Sequence, residues 1–281
     1  MSLLGTCVLL PRVSAARANA ADVTLLTADV EIRGDWQGSA TADVAVIVET
    51  MRTACLAGVA LLSERQPETL RVEDRSGSNP SVWLHTGQPA TAWVTVVVGR
   101  RDWCNLAYQF GHELGHVLCN SWEPDAQPRN PCQWVEEAMV EAFSLWGLGR
   151  MADEWERAPP FPGDSGYAGS IRAYRETIVT AYRMAAQDQG IAVGFASWFK
   201  AHEAFLTQDG GIDAAKGAVL TMLGLLESDS AAIADLGAVN RWPERSGVPL
   251  PHYLNLWQRS CAELGAPGRL PMRVRKLLAG L

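Results

Sequence analysis

Several things are missing from this chain of 281 residues. No apolar run approaches the roughly 20 residues that a helix needs to cross a bilayer, so no integral membrane segment is expected. There is no excess of basic residues: 24 Lys and Arg stand against 31 Asp and Glu, giving a net charge of −7. That balance argues against nucleic acid or an anionic membrane surface as a partner. None of the six cysteines (Cys7, Cys55, Cys104, Cys119, Cys132, Cys261) forms a Cys-x-x-Cys pair, which argues against a cysteine zinc site. No internal repeat or low-complexity tract is visible, so a solenoid is not expected. Histidine is scarce, with five in the whole chain. What is present is ordinary for a folded domain: 48% hydrophobic and 20% charged residues, with length enough for a sizeable core.

The first ten residues, MSLLGTCVLL, are apolar, and Ala18-Asn19-Ala20 has the small-x-small form of a signal-peptidase site. No Lys or Arg precedes the apolar run, and Pro11 and Arg12 cut it short. The pattern favours export to the periplasm or the medium, with residues 1–21 as a leader; a cytoplasmic chain is the alternative. Cys119 and Cys132 flank one loop and could staple it in an oxidising compartment, the alternative being six reduced, mostly buried thiols. Cleavage after Ala20 would leave five cysteines, an odd number.

In chain order, residues 22–33 are rich in β-branched side chains and read as a strand, and 41–62 carry apolar residues at helical intervals. Three short extended runs follow at 69–73, 81–86 and 93–98, separated by turn clusters at 75–80 and 87–89. Asp102 or Asn105 then caps a helix running to about Asn120. Asn130, Pro131 and Gln133 fit a second helix start, and that helix is expected over 131–148, ending among Gly147 and Gly149. A Pro- and Gly-rich connector spans 159–169. Beyond it the pattern is helical at 170–189, 193–206, 212–227, 230–236 and 251–264. The expected class is α+β: an N-terminal domain over 22–158 and an all-helical lobe over 170–281.

The chemistry concentrates in Tyr108–Asn120, YQFGHELGHVLCN, where His112, Glu113 and His116 have the spacing His-Glu-x-x-His. Residues four apart on a helix lie one above the other, so both imidazoles leave from one face and can reach one Zn²⁺ at roughly 2.0–2.1 Å. Glu113 sits beside them, where a carboxylate can take a proton from water. Catalytic zinc usually takes a third protein ligand. The segment Gln133–Trp146, QWVEEAMVEAFSLW, supplies candidates. Glu137 and Glu141 share a helix face, whereas Glu136 points about 100° away. One acid of the pair can complete the metal site while the other accepts a hydrogen bond from an imidazole. Acids on so apolar a helix need a partner. Gly111 and Gly115 admit either close approach of a neighbour or substrate, or ordinary helix packing. Seven of the eleven tryptophans lie between Trp83 and Trp155, as expected for core around these helices.

HELGH (112–116) followed by WVEEAMVEAF (134–143) resembles the gluzincin metallopeptidases, including thermolysin-like and aminopeptidase-type enzymes. That resemblance implies a zincin-like N-terminal domain, zinc as cofactor, and a peptide or protein as substrate. Matching WVEE to the family's Trp-x-x-Glu implies Glu137 as third ligand and Glu141 as the outer acid. It also implies that residues 81–86 form a cleft-edge strand that pairs with substrate. The ImmA-like peptidases also carry HELGH before an acidic helix, and that likeness leaves Glu137 and Glu141 open. The helical lobe is only vaguely similar to zincin-like proteins of bacteria. The implied reaction is peptide-bond hydrolysis with Glu113 as general base. The rival is a binding protein on the same scaffold, with structural zinc or none.

Oxyanion stabilisation in such enzymes usually needs a His or Tyr donor. His202, Tyr167, Tyr174 and Tyr253 are candidates among which the sequence does not choose. Gly163-Asp164-Ser165-Gly166 mimics a serine-protease nucleophile segment but sits in a largely helical chain, so a turn is expected there. His85 and His252 are isolated.

Overall fold

A computed structural model describes residues 24–59, 66–75, 77–127 and 129–280. The expected leader over 1–21, with Cys7 and Ala20, lies outside these residues. The helix expected over 41–62 stops early, at Leu56, where Ala57 takes an extended backbone; residues 60–62 of it lie outside the described residues. The class is α+β, about 60% helical with one small sheet. The strands are β1 (Asp29–Gly34), β2 (Thr69–Asp74), β3 (Ser81–Val82) and β4 (Thr91–Val96). The helices are α1 (Thr41–Leu56), α2 (Trp103–Leu118), α3 (Gln133–Arg157), α4 (Tyr167–Asp188), α5 (Phe195–Leu206), α6 (Ile212–Ser228), α7 (Leu250–Leu264) and α8 (Arg269–Ala279). Helix α8 was not foreseen. The strand expected over 22–33 is confined to β1, preceded by a 3₁₀ turn at Thr24–Leu26, and the run 230–236 is a 3₁₀ segment, Ser230–Ala238.

The sheet has the order β1-β2-β4-β3. Strands β1, β2 and β4 are parallel, and β3 pairs antiparallel with Val94 and Thr95 of β4. The parallel β1–β2 pair requires a crossover, and α1 provides it. Side chains alternate as strand geometry demands. Leu70, Val72, Ala92, Val94 and Val96 are buried on one side. On the other, Arg71 Nη2 meets Glu31 at 2.9 Å and Trp93 Nε1 donates to Glu73 at 2.9 Å. The run expected over 81–86 is a regular strand for two residues only; beyond them Trp83 N still donates to Trp93 O at 2.7 Å, and at His85 a side chain takes over, its Nε2 bonding Thr91 O at 3.1 Å.

Helix α3 is the axis of the molecule, packed on α1, α2, α4 and α6. Trp134, Val135, Ala138, Met139, Val140, Ala142, Phe143 and Leu145 are all within 1% of full burial, which is why its apolar residues follow no single stripe. Truncating a side chain such as Phe143 here should cost about 3–5 kcal/mol. The helix does not end at Gly147 and Gly149 as expected but runs on to Arg157. Gly147 is a contact rather than a stop: a Cβ there would lie 2.8 Å from Met51 Cε of α1 and closer still to Cys55 Sγ. One continuous apolar cluster links Leu25, near the sheet, to Val274 in α8.

The described cysteines Cys55, Cys104, Cys119, Cys132 and Cys261 are buried free thiols, so Cys119 and Cys132 do not staple their loop. Cys132 instead donates to Val248 O at 3.1 Å. The segment 163–166 is a turn, with Asp164 O accepting from Trp155 Nε1 at 2.9 Å.

Candidate metal centre

Helix α2 begins at Trp103, and Asp102 precedes it, accepting from Asn105 Nδ2 at 3.1 Å. Its apolar side, Leu106, Phe110, Leu114, Val117 and Leu118, is buried in the core. Gly111 and Gly115 face α3, and their role is helix packing. A Cβ on Gly115 would stand 2.8 Å from Val140 Cβ, and one on Gly111 2.9 Å from Ser144 Oγ. Without side chains at these two positions the helices come close enough for the carboxylates of α3 to reach the histidines of α2.

All three glutamates of α3 arrive at the motif, each at a different atom. Glu141 Oε2 lies 2.7 Å from His112 Nδ1, and its other oxygen accepts from Tyr108 Oη at 2.6 Å. Glu136 Oε1 lies 2.7 Å from His116 Nδ1 and accepts from Ser121 Oγ at 2.6 Å. Glu136 Oε2 accepts from Asn240 Nδ2, also at 2.6 Å. Glu137 takes neither Nδ1; its Oε2 stands 3.7 Å from His112 Nε2 and 3.8 Å from His116 Nε2. One ligand atom from each of His112, His116 and Glu137 lies within 4.8 Å of the other two. With each Nδ1–H donated to a carboxylate, the Nε2 lone pairs are left pointing at the same small volume. Two imidazole nitrogens and one carboxylate oxygen are a donor set suited to zinc with a position left open.

Electrostatics describe the site without a cation. Burial by itself would lower the basicity of His116, but the bond to Glu136 and the charges of Glu137, Glu136 and Glu113 raise its pKa to about 10. His112 is raised in the same way, burial opposing and Glu141 and Glu113 prevailing. Burial pushes the Glu113 carboxyl up, against the two histidines that would lower it. For Glu136, burial is outweighed by His116, Ser121 and Asn240, and its pKa falls. Four buried or half-buried carboxylates thus hold protons on two imidazoles, the charge a bound dication would replace.

Glu113 is 4% exposed and lines both arms of a cleft. One arm, about 430 Å³, passes Tyr108, Tyr182 and Lys216; the other, about 300 Å³, passes His116, Glu137 and the β3 residues Ser81 and Val82. Pro80 and Ile212 face both. The four sequence candidates for an oxyanion donor lie elsewhere. His202 bonds Trp198 O, Tyr167 accepts from Cys104, Tyr174 donates to Asn105, and Tyr253 is buried against Trp242. The tyrosines at the cleft are Tyr108, which donates to Glu141, and Tyr182.

Sequence reasoning missed Glu136, Ser121, Asn240 and Tyr182. One signal was available for Glu136: two histidines that ligate through Nε2 leave two Nδ1 donors to satisfy, and the helix carried a third acid. No local pattern announces Asn240, which lies 104 residues from Glu136. No family model, curated protein or solved structure matches this chain.

Proposed function

We propose that the chain is a zinc-dependent peptidase of gluzincin type, its sheet and helices α2 and α3 forming a zincin-like catalytic unit. The carrying observation is the convergence of His112 Nε2, His116 Nε2 and Glu137 Oε2 while both Nδ1 atoms are held by Glu141 and Glu136. His112, His116 and Glu137 would hold the ion. Zinc in such a set supplies Lewis-acid polarisation of a carbonyl and activation of water near neutral pH. Glu113, on the cleft wall beside these ligands, accepts the proton of the attacking water on its carboxylate and delivers it to the departing amine nitrogen. Its raised pKa suits a group that must both take and return a proton. The substrate class is peptide or protein. Strand β3 ends the sheet, with its residues on the cleft wall, and an extended peptide can pair along such an edge.

The test is zinc content after purification, followed by cleavage of a peptide library with and without chelator. Glu113→Gln should keep the zinc and lose turnover by about 10²–10⁴-fold. Equal turnover in that variant would remove Glu113 from the mechanism. Stoichiometric zinc with no cleavage of any peptide would favour a binding protein on the same scaffold.

A further inference from the structure

We propose that Asn240, whose side-chain amide bonds neither of the motif histidines, is a positioning residue for the metal centre: it holds Glu136, and Glu136 holds His116. The proposal rests on the metal reading above and extends it to a segment far along the chain.

The hydrogen bonds of Glu136 divide unevenly. Its Oε1 receives His116 Nδ1 and Ser121 Oγ, whereas its Oε2 receives Asn240 Nδ2 at 2.6 Å. Glu136 is 3% exposed, so water offers little replacement. Asn240 is 2% exposed, and the same nitrogen lies 3.2 Å from Ser121 Oγ and 3.3 Å from Cys119 O. Its Oδ1 is buried with no hydrogen-bond partner. The amide therefore has one workable orientation, since turning it over would set that oxygen against the carboxylate. A buried polar atom left unpaired calls for a reason, and presenting the nitrogen to Glu136 is one.

The backbone holds Asn240 in place. Its φ is +58°, in the left-handed region that Asn tolerates better than most residues. Arg245 Nη1 donates to Asn240 O and to Asn120 O, both at 3.0 Å. Asn120 Nδ2 returns bonds to Gly237 O and Val239 O at 3.1 and 2.7 Å. Residues 237–245 are thereby clasped to the end of α2, one turn beyond His116. The segment between the 3₁₀ run and α7 thus completes the hydrogen bonding of the carboxylate that holds His116.

The experiment measures Zn²⁺ affinity by competition with a chelating dye and the visible spectrum of the Co²⁺-loaded full chain. Asn240→Asp keeps the shape but opposes a carboxylate to Glu136 Oε2. Asn240→Gly keeps the left-handed backbone and deletes the amide. Each should weaken zinc binding by about 10–100-fold and alter the Co²⁺ spectrum, with the metal-free helical signal retained. Combining Asn240→Asp with Glu136→Gln restores complementarity: the new amide oxygen accepts from His116 and Ser121, and its nitrogen donates to the new carboxylate. In the Glu136→Gln background, Asn240→Asp should therefore cost far less affinity than it does in the parent, only the 3.3 Å contact with Cys119 O staying unmatched. Zinc binding by both single variants equal to the parent's would overturn the proposal, as would the same loss in both backgrounds. If the parent itself binds no zinc, the metal reading fails and this proposal with it.

Discussion

Substituting Gly115 with Ala tests the contact on which the whole site depends. The added Cβ would lie 2.8 Å from Val140 Cβ, 3.0 Å from Val140 Cγ1 and 3.2 Å from Phe143 Cδ1. A β-carbon cannot rotate away, so with ordinary contact starting near 3.4 Å, α3 must retreat from α2 by about 0.6 Å. Val140 sits between Glu136–Glu137 and Glu141, so all three carboxylates move with it. Overpacking of this kind costs about 1–3 kcal/mol, and replacing a mid-helix glycine returns about 1 kcal/mol. Gly224→Ala in α6 is the control, because a Cβ there meets nothing within 4 Å. It should stabilise by about 0.5–1 kcal/mol. The two variants should differ by about 1–3 kcal/mol, and at about 2–4 °C per kcal/mol the Gly115→Ala protein melts several degrees below the Gly224→Ala protein. Because zinc ligand distances tolerate only about 0.2 Å, the Gly115→Ala protein should also bind zinc more weakly than the parent. A Gly115→Ala protein that melts with the control and binds zinc like the parent would refute the reasoning.

Other consequences can be measured separately. Glu137→Gln should weaken zinc binding more than Glu141→Gln, whose loss should stay near 10–100-fold; the reverse order in a competition titration would make Glu141 the ligand. Tyr108→Phe removes one donor from Glu141 and should reduce zinc affinity less than Glu141→Gln does, and an equal loss would count against a relay through that carboxylate. Burial pushes the thiols up, Cys132 to about 12 and Cys55 and Cys119 well above the ordinary thiol value, so little thiolate forms at pH 8. In a Cys7→Ser chain the five remaining thiols should react with a disulfide reagent only on unfolding, and fast labelling of the native protein would contradict their burial.

Much of the frame was legible in local pattern. The helical intervals of 41–56 place Val44, Ile47, Val48, Met51 and Cys55 on one buried side, and the alternation of Leu70 and Val72 marks a strand. Where local reading failed, a tertiary contact had overridden it. Gly147 reads as a helix stop, but α1 lies against it and the helix continues. Residues 81–86 read as a strand, yet regular pairing ends at Val82, and beyond Trp83 the contact with β4 passes to the His85 side chain. Helix α8 carries Arg269, Arg273, Arg275 and Lys276 around a thin apolar stripe and becomes a helix by docking Leu270 and Val274 into the core.

The sequence by itself determined that two imidazoles and a carboxylate share one helix at metal-binding spacing, because helical geometry sets the positions of residues four apart. It also placed three acids on an apolar helix, where burial obliges them to find partners. Which acid meets which nitrogen was decided by the tertiary structure. Glu136 and Glu141 take the two Nδ1 atoms and Glu137 faces both Nε2 atoms, on a helix that glycines 111 and 115 let come close to α2. Asn240 enters through a clasp more than a hundred residues away, for which the local sequence holds no signal.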